Sequence, residues 1–238
     1  MNVDQVWKNA KWTQESKHLL TGLVKFPKDS KIILIIRHSH RIDSDDPWKV
    51  SELKLTPLGH AIAKKFGENL PKKSFIRLYY SSLDRCKEIG QGILDGFKSV
   101  HGSGTLKHSI NELVDIGMEA EIFFEEITNH SFTGFFHRWI AGLYPPQIIT
   151  PLNEYCQNSA HVIWKEIEGA PDNGVDIHIS HDLIILSYRL GWFGLHPNNY
   201  WPFFLRGFAF TINKNQIQLL DYEGLKSIEF PFWWKKRL

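Results

Sequence analysis

Four cationic or cationisable side chains stand within five positions at the end of the apolar run KIILIIRHSHR: Arg37, His38, His40 and Arg41. Such crowding costs repulsion that a bound anion would offset. Two other segments place similar groups after an apolar run. YYSSLDRC holds Arg85, and HISHD holds His181 and Asp182. A phosphate dianion suits this set, because guanidinium forks match its oxygens two at a time. The chemistry these residue types permit is phosphoryl transfer. A neutral imidazole beside arginines keeps a lone pair with which to attack phosphorus. Arg37, Arg41, Arg85 and His181 would stabilise charge on the equatorial oxygens. A carboxylic acid would protonate the leaving oxygen. With arginines neutralising the charge, this chemistry requires no metal and no cofactor.

The elements that must position these groups are legible along the chain. KIILII is too short for a helix and apolar throughout, which predicts a strand covered on both faces. RHSHRIDSDDPWKVSE reads as a loop, its acidic DSDD as a solvated N-cap region. LTPLGHAIAKKFGENLPKK predicts a helix capped by Thr56, with Pro57 at its first position. FIRLYYSS predicts a second strand, LDRCKEIGQGILDGF a second helix with Arg85 just inside it, and TLKHSINEL a third strand. GVDIHISH predicts a fourth strand running into the helix DLIILSYRLGWFG, which ends at glycine. FAFTI and IQLLDY read as two final strands in a meander. The closing FPFWWKKRL reads as a strand or tail packing on the core; nine residues offer little area to a membrane surface.

This alternation implies a three-layer α/β/α sandwich with a mainly parallel central sheet. The expected organisation is a single domain over residues 1–238. Residues 1–30 form an N-terminal helical extension, and about 117–170, rich in aromatics, a helical insertion that caps the sheet. Ligands in such folds sit at the carboxyl ends of the strands, so parallel strands would bring the three polar ends to one edge.

Composition narrows the partners. The 238 residues carry 28 Lys and Arg against 26 Asp and Glu, a formal charge of +2. That near balance argues against a nucleic-acid or membrane-surface binder, which usually shows a strong basic excess. Cys86 and Cys156 are too far apart for a metal spacing or a disulfide framework, and read as reduced thiols. With no signal-peptide core and no apolar run near the roughly 20 residues of a spanning helix, the expectation is a soluble cytoplasmic protein. The expected partner is a small-molecule phosphate ester or other phosphorylated substrate. Oligomeric state is left open. A His-x-His pair, His38 and His40, also invites a metal reading with His181 and Asp182. Few scattered ligands accompany it, and His40 reads better as a loop residue near the pocket.

At these residues the sequence resembles the histidine phosphatase (phosphoglycerate mutase-like) superfamily. Its Arg-His-Gly signature at the end of the first strand is matched by RHS. LTPLG, SSLDRC and SHDLIILSYRLG resemble its later motifs in the right order, over residues 31–115 and 176–222. The resemblance implies a phosphatase, metal-free, in which His38 is the phosphorylated nucleophile and Arg37, Arg85 and His181 bind phosphate. Arg41 matches the Arg-His-Gly-x-Arg form of the acid phosphatase branch and some smaller phosphatases. The proton donor would be the aspartate after the second histidine, Asp182, or a glutamate after the third strand, Glu112, with Asp182 favoured. A mutase returning the phosphoryl group to its substrate, and a non-catalytic phosphate-binding module, are the alternatives. One departure stands out. Ser39 occupies the glycine position of the signature. If that position needs a positive φ or close backbone approach, serine costs about 1 kcal/mol, and Ser39→Gly would be neutral or activating.

Overall fold

The computed structural model describes residues 2–42, 44, 46–73, 75–197, 201–213 and 216–235. The run IILIIR forms strand β1 (Ile32–Arg37), whose five apolar side chains are all buried. Mostly β-branched, they suit an extended, enclosed backbone. Strands β2 (Phe75–Tyr80), β3 (Gly104–Ser109) and β4 (Gly174–Ser180) complete a parallel set in the order β3-β2-β4-β1. Beyond β1 the sheet continues antiparallel through β5 (Gly207–Ile212), β6 (Ile217–Asp221) and β7 (Gly224–Ile228). The meander therefore has one strand more than the sequence suggested. Strand β7, GLKSI, has no fully buried residue and so shows no apolar signature.

Helices α1 (Val3–Asn9), α2 (Lys11–Leu23), α3 (Pro57–Glu68) and α4 (Asp84–Val100) share one core with Ile32, Leu34 and Ile36. Helices α5 (Ala120–Ile140), α6 (Leu152–Glu166) and α7 (Asp182–Phe193) share the other with Ile33 and Ile35. Alternate residues of β1 thus feed opposite cores, which is why its sequence is continuously apolar rather than alternating. Helix α3 begins as expected, with the Thr56 hydroxyl accepting from the Gly59 N–H. Helix α7 ends at Gly194, whose φ of 65° is a left-handed cap. Helix α5 is broken at Ser131, where φ is 61°. The C-terminal segment closes with a short helix, α8 (Phe232–Lys235), and Phe230 and Trp234 are buried against the α5–α7 core. Residues 236–238 of that tail, and Asp43 and Asp45 of DSDD, lie outside the described residues. Both cysteines are buried and unbonded. Among the described residues no helix is long and apolar enough to cross a membrane.

Register decides what meets at the sheet edge. Arg37 lies opposite Ser180 in the β1–β4 pairing, so the next residues, His38 and His181, emerge side by side with ring centroids 5.4 Å apart.

Candidate active site

His38 follows β1 directly and is 2% exposed. Its main-chain N–H donates to the Ser180 carbonyl at 3.0 Å, which extends the ladder by one residue and fixes where the side chain starts. Nδ1 lies 2.9 Å from the Ser39 carbonyl. A carbonyl only accepts, so Nδ1 carries the proton and Nε2 keeps its lone pair. Burial, and then Arg37, His181 and Arg85, hold the imidazole well below its usual pKa, so it is neutral at pH 7.

The loop after β1 is gripped by the start of α3. The His40 carbonyl accepts from the Thr56 N–H at 3.3 Å, and His40 Nδ1 pairs with the Thr56 hydroxyl at 2.8 Å. Gly59 allows the approach, since a Cβ there would sit 2.0 Å from the His40 carbonyl oxygen. Ser39 is fully buried and its hydroxyl donates to the Gly59 carbonyl at 2.9 Å. Among the described residues only Ser131, Asn173 and Leu205 combine a side chain with a positive φ. Ser39 therefore does not have the positive φ that would have made serine costly here. Its hydroxyl is instead part of the clasp that holds the His38 loop.

The arginines arrive from separate elements. Arg37, the last residue of β1, donates to the Pro202 carbonyl at 2.9 Å, pairs with Asp182 at 2.9 Å and lies over the Phe204 ring. Arg85, in the first turn of α4 and 4% exposed, donates through one nitrogen to the carbonyls of Val50 and Ser51, each at 3.0 Å. The Nε atoms of Arg37 and Arg85 are buried with no hydrogen-bond partner, so both retain donor capacity. Arg41 lies just beyond, in a bridge with Leu55. His181 caps the start of α7 and its Nε2 is 2.9 Å from the Ser81 hydroxyl. Burial first, then Arg85, pull its pKa down to about 3, against the opposing pull of Asp182.

Asp182 is held at three points. Its carboxylate accepts from the Trp201 indole at 2.8 Å and from the Leu183 N–H at 3.0 Å, besides pairing with Arg37. Burial raises its pKa, but Arg37 and the Trp201 hydrogen bond outweigh that and leave it below the ordinary carboxylate range.

Arg37, His38, Arg41, Arg85, His181 and Asp182 all line one cavity of about 570 Å³ at this edge of the sheet. Glu112 does not line it. Its main-chain carbonyl instead accepts from the hydroxyls of Tyr155 and Tyr188. The loop after β3 presents Asp115 to the cavity, an exposed residue whose carboxylate accepts from the Gly117 N–H at 2.8 Å. Sequence reasoning missed Asp115, Ser81, Trp201 and Phe204. Only Ser81 carried a signal, as part of SSLDRC; the loop holding Trp201 and Phe204 has no periodicity. His40 stays outside the cavity lining and stacks on Trp12. Among the described residues, no three His, Cys, Asp or Glu side chains gather in a way that could hold a metal ion.

The motif order and the converging strand ends agree with a comparison of sequences. A family model described as the histidine phosphatase superfamily (branch 1) matches residues 33–217. The chain belongs to this superfamily. Histidine phosphatase-like folds also stand among the solved structures it resembles. Bacillus stearothermophilus YhfR shares 14% identity, covering 84% of this chain and 96% of its own, with a TM-score of 0.53. A mycobacterial glucosyl-3-phosphoglycerate phosphatase shares 13% identity over 84% of this chain and 97% of its own, with a TM-score of 0.53. Entamoeba histolytica phosphoserine phosphatase, in complex with 3-phosphoglyceric acid, shares 14% over 84% and 96%, with a TM-score of 0.50. At such identities the likeness concerns the fold. No curated protein matches the chain.

Proposed function

We propose that this histidine phosphatase superfamily member is a phosphomonoesterase that passes the phosphoryl group of a small-molecule ester to Nε2 of His38 and then to water, without a metal ion or other cofactor. The observation that carries the reading is the buried, neutral His38 imidazole, its proton fixed on Nδ1, in a cavity it shares with Arg37, Arg41 and Arg85. The lone pair forms the N–P bond as the ester P–O bond breaks. Arg37, Arg41, Arg85 and His181 hold the equatorial oxygens and disperse their charge. The first turn of α7, where His181 and Asp182 stand, adds the positive end of a helix dipole.

The leaving alkoxide takes its proton from Asp182, and the carboxylate recovers one from the water that attacks phosphohistidine. Paired with Arg37, Asp182 is ionised. A bound phosphate draws Arg37 toward its own oxygens and sets negative charge beside the carboxyl. Both effects raise its proton affinity, so Asp182 becomes a donor in the complex. Asp115, at the exposed rim, is the competing carboxylate in the cavity. We read residues 1–238 as one domain, with 1–30 an N-terminal helical extension and about 117–170 its cap, working in the cytoplasm. Two buried free thiols suit that reducing compartment.

The test is turnover of p-nitrophenyl phosphate in excess EDTA, with rapid acid and base quench of labelled substrate. The expected result is chelator-resistant hydrolysis and an acid-labile, base-stable phosphoryl group that His38→Ala lacks. His38→Ala should keep phosphate affinity within about tenfold, because the arginines survive. Transfer of label to a second hydroxyl acceptor instead of water would make the protein a mutase. Phosphate binding without turnover would make it a non-catalytic module.

A further inference from the structure

A phosphate group fills only a corner of a cavity of about 570 Å³, which is the size of a pocket for a whole organic ligand. The rest must accept the leaving group, and its walls state what that group is. Apart from Asp115 at the exposed rim, the charged residues come from the ends of β1 and β4 and the start of α4, on the side of His38. Facing them are Val114, Ile116 and Met118 from the loop after β3, and Phe123, Phe124 and Phe132 from α5. Among the described residues, Arg37, Arg41 and Arg85 are the cations of the lining, and no lysine joins them. Nothing on the apolar wall offers a second cationic clamp, so a substrate carrying a carboxylate or further phosphate has no partner there.

The cap disfavours anions further. The first half of α5, up to the break at Ser131, carries Glu121, Glu125 and Glu126 and no Lys or Arg. These glutamates do not line the cavity, and Glu126 is engaged by the Tyr144 hydroxyl at 2.5 Å. They therefore do not form an ammonium site inside it, and Asp115, the carboxylate of this wall, stands exposed at the rim where water and salt screen it. Among the described residues, what lines this side is mainly hydrocarbon and phenyl surface, with the Thr133 hydroxyl and the Asp115 carboxylate as its polar groups, and the Trp48 ring stands 5.3 Å from that of Phe124.

We infer that the substrate is the monophosphate of an uncharged, apolar alcohol, aliphatic or aryl, whose carbon skeleton lies against α5. This rests on the reading of the cavity as a phosphate-ester site, and the experiment separates the two. Calorimetric titration of the protein with ethyl-, butyl- and hexylphosphonate, which are not hydrolysed, reads the apolar wall without turnover. Affinity should rise about fourfold per added methylene, as burial of hydrocarbon demands. Six-carbon phosphonates ending in a carboxylate or a trimethylammonium should bind at least about tenfold more weakly than hexylphosphonate. Phe124→Ser should flatten the series; Phe124 lies outside both buried cores, and circular dichroism checks that the variant is folded. A flat series, undetectable binding, or tighter binding of either charged tail overturns the inference. Hydrolysis of the matching phosphate esters is measured separately. A steep series without hydrolysis would remove the phosphatase reading and leave the apolar-ligand inference standing, whereas hydrolysis with a flat series would do the reverse.

Discussion

Replacing Ser39 by glycine restores the superfamily signature and, on the geometry of this chain, harms it. The serine hydroxyl is wholly buried and donates to the Gly59 carbonyl at 2.9 Å. Gly59 lies in the first turn of α3, where its carbonyl also faces the helical amide four residues on, so losing the hydroxyl does not orphan it. The loss is then that of one net hydrogen bond, about 1 kcal/mol. Glycine adds roughly 0.5–1 kcal/mol of extra backbone entropy in the unfolded chain, with no positive φ at this position to reward it. The sum, about 2 kcal/mol, lowers the melting temperature of a chain this long by roughly 4–8 °C. Scanning calorimetry of wild type, Ser39→Gly and Ser39→Ala separates the two contributions, since alanine removes only the hydroxyl and should recover part of the loss. Turnover of p-nitrophenyl phosphate should fall with the glycine variant, because the same clasp positions the His38 loop. A glycine variant as stable as wild type, or more active, would refute the reasoning and return Ser39 to the status of a tolerated departure from the signature.

The proton donor is tested by leaving-group dependence. Asp182→Asn should cost little on p-nitrophenyl phosphate and on the order of 10²-fold or more on an alkyl phosphate, while Glu112→Gln and Asp115→Asn lose little on either. A selective defect in Asp115→Asn or Glu112→Gln instead would move the role to the loop after β3. Stability should depend on pH through His38, His178 and His181, all pushed below the ordinary histidine value chiefly by burial, the last two to about 3. They are neutral in the folded state and charge near pH 6.5 once unfolded. Their stabilising balance is therefore complete above pH 6.5 and declines as pH falls from there toward 3. The melting temperature should drop between pH 6.5 and 5, a window in which ordinary carboxylates stay ionised, and His178→Phe should lessen the drop. A flat profile across that window would show that these imidazoles are not held neutral. Gly59→Ala should be far worse than a helix alanine elsewhere, because its Cβ would meet the His40 carbonyl at 2.0 Å. Near-normal melting and turnover in that variant would show that the loop has room to withdraw.

What the sequence determined by itself is whatever depends on neighbours along the chain. RHSHR, SSLDRC and HISHD each end a strand, and strands in a parallel set deliver their C-terminal residues to one edge, so Arg37, His38, Arg85, His181 and Asp182 were legible before any contact was known. The continuous apolar run of β1 likewise announced a sheet covered on both faces. Tertiary structure decided the rest. Ser39 is matched to a carbonyl twenty positions away, and no local pattern says whether a buried hydroxyl finds such a partner. Trp201 and Phe204 reach the site from an irregular loop, whose path follows packing rather than periodicity. The turn after β3 brings Asp115 rather than Glu112 to the cavity, because a non-periodic turn sets side-chain direction residue by residue. In α5 the break at Ser131 resets the helical phase, so spacing alone could not sort its rings. Phe135 and Phe136 go to the core, whereas Phe123, Phe124 and Phe132 line the cavity and give the site its apolar wall.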